Sequence, residues 1–95
     1  MDGQAIKALL QANKEKLFVT YPLQSMALFS SYAVGTARED NDVDIMVEFN
    51  RPVVFEFVDL CIELETLLQK PVDLATRQAA KPRLMTYIVP QLQYV

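Results

Sequence analysis

Residues 28–49 read LFSSYAVGTAREDNDVDIMVEF, and the last eight of them decide the architecture. From Asp42 to Phe49 the side chains alternate. Val43, Ile45, Val47 and Phe49 fall on one side, and Asp42, Asp44, Met46 and Glu48 on the other. Successive side chains of a strand point to opposite faces, so the spacing predicts a half-buried strand over 42–49. Before it, Arg38 to Asn41 is polar and turn-like, and Tyr32 to Ala37 has room for one or two helical turns. Met26 to Phe29 is a short apolar run that stops at Ser30-Ser31, as a buried strand would.

Working outward, Asp2 to Lys16 predicts a helix, with Ile6, Leu9, Leu10 and Leu17 at helical spacing and Asp2 as its N-cap. Tyr21-Pro22 predicts an extended or turn dipeptide within Val19–Gln24. On the other side, Asn50-Arg51-Pro52 ends the strand, with Pro52 suited to the first turn of the next helix. Val54 to Gln69 follows, its Phe57, Leu60, Cys61, Leu64, Leu67 and Leu68 spaced for the strongest helix in the chain. Pro71 stops that helix, and Val72 to Ala75 reads as a short strand. Lys81 to Ile88 reads as a last helix, ended by Pro90. The order α-β-α-β-α-β-α predicts an α+β fold, a small mixed β-sheet flanked by helices. With no repeat or linker, residues 1–95 are expected to form one domain.

Composition removes whole classes of chemistry. The 95 residues contain no His, which excludes histidine bases, serine–histidine triads and His-ligated zinc. One Cys, Cys61, rules out an internal disulfide and a cysteine zinc cage; on the apolar side of its helix it reads as core. Two Gly residues, Gly3 and Gly35, cannot build a P-loop or a dinucleotide fingerprint. The net charge of −3 argues against nucleic acid as the primary partner. No secretory leader or membrane-length apolar run is visible, so a soluble cytoplasmic protein is expected. Carboxylates, hydroxyls and a few cations are left to do chemistry. Phe55 and Phe57 read as packing residues and Arg38, Arg77, Lys81 and Arg83 as surface charges; Tyr21, Tyr32, Tyr87 and Tyr94 are unassigned, with core packing ahead of stacking a base or contacting a partner.

Four of the twelve acids, Glu39, Asp40, Asp42 and Asp44, fall within six residues. Asp42 and Asp44 share a strand face, with Cα atoms ~7 Å apart. At an effective dielectric of about 20 their charges repel by roughly 2 kcal/mol, which a divalent cation would reverse. Oxygen donors without His or Cys select Mg²⁺, Mn²⁺ or Ca²⁺. An EF-hand is excluded, because Ile45 stands at its glycine position and Arg51 at its bidentate glutamate position. An exposed strand face carrying two acids would account for the pair equally well, and Ser31 alone reads as a helix N-cap. Taken together, a serine-bearing helix start for phosphate oxygens and an acidic pair for a metal suit a metal-bound nucleotide.

The stretch from Leu28 to Phe49 resembles the signature of the DNA-polymerase-beta-like nucleotidyltransferase superfamily: Gly-Ser, ten residues, then Asp-x-Asp. Here the elements are Ser30-Ser31, residues 32–41 and Asp42-Val43-Asp44. The short chain and the tail KPRLMTYIVPQLQYV resemble the minimal nucleotidyltransferases, the MNT or MntA-like proteins. The resemblance implies Ser30 and Ser31 at the nucleotide phosphates, and Asp42, Asp44 and a third carboxylate, Asp73, as catalytic ligands of two Mg²⁺ ions, with Mn²⁺ as a substitute. It implies transfer of a nucleoside monophosphate, AMP from ATP, to a hydroxyl. MNT proteins are paired with small helical HEPN toxins, so the acceptor would be a Tyr of that partner and this chain its antitoxin. Oligomeric state, homo- or hetero-, stays open. Ser30 stands where the family has Gly, and a Cβ crowds close phosphate approach. The alternative is therefore a weakly active or inactive subunit that neutralises its partner by binding alone.

Overall fold

The computed structural model describes residues 3–28, 43–77 and 92–95. Helix α1 runs Gly3–Ala12 and helix α2 Lys14–Thr20. The expected single helix over 2–16 is thus two short ones. The Asn13 side chain donates to the Leu9 carbonyl at 2.9 Å while its backbone N–H is shared between Leu9 and Leu10 at 3.2 Å each. Such local side-chain bonding competes with the helical ladder. The helical path then runs on to Thr20, past the expected end at Lys16. It stops where the residue preceding Pro22 must be extended, and Tyr21 has φ −119° and ψ 148°.

Strand β1 is Leu23–Leu28, β2 Val43–Phe49, α3 Phe55–Leu68, β3 Val72–Thr76 and β4 Gln93–Tyr94. The strands form a mixed sheet in the order β3-β2-β1-β4. β1 pairs antiparallel with β2 and with β4, and β2 pairs parallel with β3. The parallel pair follows from α3, because parallel neighbours need a long crossover and a helix supplies it. The fold is the α+β arrangement expected, with β4 an added edge strand. Helix α3 starts three residues after Pro52, which therefore lies ahead of the first turn rather than within it. The expected N-cap Asp2, short helix over 32–37 and last helix over 81–88 lie outside the described residues.

The helices pack on one face of the sheet. Val43, Ile45 and Val47 of β2, Leu23, Met26 and Leu28 of β1, and Val72 and Leu74 of β3 meet Ile6, Leu10, Leu17, Leu60, Leu64 and Leu68 in one core. The alternation along β2 falls as the sequence predicts. The opposite face is not wholly solvated, since Met46 and Ala27 on it are also buried. Cys61, Phe57 and Leu67 are partly buried against the core. Phe55, expected to pack, is 78% exposed. Helix α3 closes on Gln69 in the left-handed region, φ 57° and ψ 37°, with its N–H donated to the Glu65 carbonyl at 2.8 Å. No described helix is long and apolar enough to cross a membrane.

Candidate active site

The register of the parallel pair sets the site. Asp44 lies directly across from Asp73, flanked by Val43 across from Val72 and Ile45 across from Leu74. Those apolar neighbours all point into the core, so both carboxylates project from the opposite face. Adjacent strands lie ~4.8 Å apart, so the two acids stand side by side. Asp44 is half-buried and Asp73 exposed. Like charges directly opposite on a sheet are destabilising. A pair kept at this register, each acid second in its strand, is suited to a hard cation. The described donor set is oxygen-only, which fits Mg²⁺ or Mn²⁺.

Of the five residues expected at the site, the structure brings Asp44 and Asp73 together. Asp42, Ser30 and Ser31 lie outside the described residues, as do Arg38, Lys81 and Arg83. Along the chain, Ser30 is two residues beyond the end of β1 and Asp42 is the residue before β2. Among the described residues no group of three or more metal-ligating side chains converges.

Further along the same face is a cluster the sequence did not reveal. Arg77 Nη1 donates to Glu48 Oε1 and to Tyr94 Oη, each at 3.1 Å. Glu48 follows Asp44 by two alternations and Arg77 follows Asp73 by two, so the register that sets two like charges together at the near end sets an ion pair at the far end. It ties β4 to β2 and β3. Arg77 reads from sequence as a surface charge, and Tyr94 as core. Arg77 is exposed as read and is also ion-paired, whereas Tyr94 is 48% exposed rather than core, because the register bringing three strands to one point is long-range information.

Neither Cys61 nor Tyr21 has the character of a nucleophile. Burial pushes the Cys61 thiol up, and the negative charges of Glu65 and Asp73 push it further. Its Sγ sits 3.7 Å from the Val72 carbonyl, as a packing residue would. Tyr21 is buried as expected, and its hydroxyl donates to Glu63 Oε1 at 2.9 Å. Burial first, then that carboxylate and Asp59, raise its pKa to about 12.

The chain belongs to the nucleotidyltransferase family: the model of the nucleotidyltransferase domain matches residues 6–94. Within the family it is similar to the protein adenylyltransferase MntA of Thermococcus cleftensis, 33% identical over 97% of this chain and 94% of the relative. A solved structure described as a minimal nucleotidyltransferase superposes with a TM-score of 0.84 at 29% identity, covering 98% of this chain and 95% of the other. A re-refined structure of a tri-AMPylated Shewanella oneidensis HEPN toxin in complex with its MNT antitoxin matches with a TM-score of 0.60 at 26% identity. That match covers 88% of this chain and 69% of the other.

Proposed function

We propose that residues 1–95 work as one domain that transfers AMP from ATP to a tyrosyl hydroxyl of a HEPN-family toxin, as the cytoplasmic antitoxin of a toxin–antitoxin pair. The observation that carries this reading is the register pairing of Asp44 with Asp73 on the face away from the helices. The likeness to a protein adenylyltransferase, and to an MNT antitoxin solved with an AMPylated HEPN toxin, supports the group transferred and the class of acceptor.

Asp42, Asp44 and Asp73 are the residues that would hold Mg²⁺, and their oxygen-only donor set fits it. When bound, two such ions neutralise phosphate charge and stabilise the attacking and leaving oxygens. Ser30 and Ser31 hold phosphate oxygens by hydroxyl and backbone N–H donation. Asp73, the more exposed acid, accepts the proton of the incoming hydroxyl. The tyrosyl oxygen forms a bond to the α-phosphorus, the α–β bridging bond breaks, and pyrophosphate departs with the electron pair. The chain contributes position and a fixed electrostatic setting.

The test is label transfer from ATP to a purified HEPN partner, with Asp44→Asn and Asp73→Asn alongside the wild type. The wild type labels the partner, and each variant loses at least about 100-fold, since even residues behind a metal ligand cost 10–100-fold. No transfer by any of the three, with neutralisation of the toxin intact in all, assigns the chain to neutralisation by binding alone.

A further inference from the structure

Helix α3 is apolar on two opposite sides. Leu60, Leu64 and Leu68 are fully buried against the sheet. On the far side Phe55, Val58 and Ile62, spaced three and four residues apart, are 78%, 54% and 57% exposed, and Val54 just before them is 73% exposed. Single exposed apolar residues are ordinary on a surface, but here the outward residues form one stripe. Its edges are acidic along the helix: Asp59 and Glu63 lie on one side and Glu65 on the other, Phe55–Leu68 contains no Lys or Arg, and Lys70 comes beside Ile62 and Glu65 only past the helix end. Arg51, paired with Glu56 at 3.1 Å, reaches only the first turn.

We propose that this stripe is a docking surface for a helix of a partner protein that carries an apolar ridge flanked by Lys or Arg. Charge complementarity selects that occupant. A second copy of this chain, placed by a two-fold axis, would set acidic edges against acidic edges. A basic-flanked helix meets both requirements of the surface, its apolar centre and its negative rim. The stripe faces away from the sheet, on the side opposite Asp44 and Asp73, so the inference stands independently of the transfer reaction.

The probe is a synthetic amphipathic helix with a leucine ridge flanked by lysines, titrated into the full chain and followed by amide NMR shifts. A peptide with the same ridge flanked by glutamates is the control. The lysine peptide is expected to bind at least about tenfold tighter, to lose affinity with added salt, and to shift Phe55, Val58 and Ile62 most. Ile62→Asp and Val58→Ser, both at exposed positions, are expected to abolish binding while circular dichroism is unchanged. Equal affinity for the two peptides, no binding, or shifts centred elsewhere would overturn the proposal. So would a concentration-dependent dimer, seen by sedimentation and lost in Ile62→Asp, which would make a second copy the occupant. ATP label transfer is scored separately, so loss of docking is distinguishable from loss of chemistry.

Discussion

Neutralising one acid of the Asp44–Asp73 pair should stabilise the metal-free protein while removing its response to Mg²⁺. The two strands are ~4.8 Å apart at this register. In a solvent-facing setting with an effective dielectric between about 40 and 80, two unit charges at that spacing repel by roughly 0.9–1.7 kcal/mol. Because Asp73 is exposed, the lower end is the working figure, and Asp73→Asn should gain about 1 kcal/mol. In a domain of this size such a gain raises Tm by roughly 4–8 °C. Thermal unfolding in EDTA at low ionic strength measures it, and added salt should shrink the gain by screening. With Mg²⁺ present the order reverses: the wild type gains RT ln(1 + [Mg²⁺]/Kd), and the variant gains less because half the described pair is gone. Asp73→Asn no more stable than wild type in EDTA, with an undiminished Mg²⁺ response, would refute the reasoning that these carboxylates crowd each other and share a cation.

Other outcomes follow from named contacts. Gln69→Gly should stabilise by about 0.5–1 kcal/mol in urea unfolding, because glycine carries no Cβ penalty at the left-handed end of α3. Leu64→Ala should cost about 2–5 kcal/mol in the same assay, since Leu64 is fully buried between helix and sheet. Tyr21 has a pKa raised to about 12 from an ordinary 10, so the folded state holds its phenolic proton more tightly than the unfolded one. Its stabilising contribution is complete below pH 10 and lost as pH rises through about 12. Tyr21→Phe should flatten that alkaline loss when denaturation midpoints are compared across the range.

The elements legible in the sequence were those whose pattern is local. The alternation of β2, the Leu60-Leu64-Leu68 ridge of α3 and the break at Tyr21-Pro22 are each written within a few residues. β4 was not legible: Gln93-Tyr94 is a strand only because β1 offers an edge to it, and two residues carry no period. Phe55 misled because composition cannot say which side of a helix its neighbours will cover. Arg77 looked like an ordinary surface cation because Glu48 and Tyr94 are brought to it by strand register. Asp73 was found through resemblance rather than pattern, and the parallel register gives it Asp44 as its neighbour.

That neighbour comes from a distant part of the chain. Asp44 and Asp73 are separated by 29 positions, bridged by all of α3, and nothing local holds them together. Neither acid can find the other until β2 and β3 have paired. Loop closure over such a span carries an entropic cost that local contacts do not. A chain whose β3 has not yet left the ribosome therefore has Asp44 without Asp73 beside it. Any chemistry that needs both acids begins only once the tertiary structure is finished.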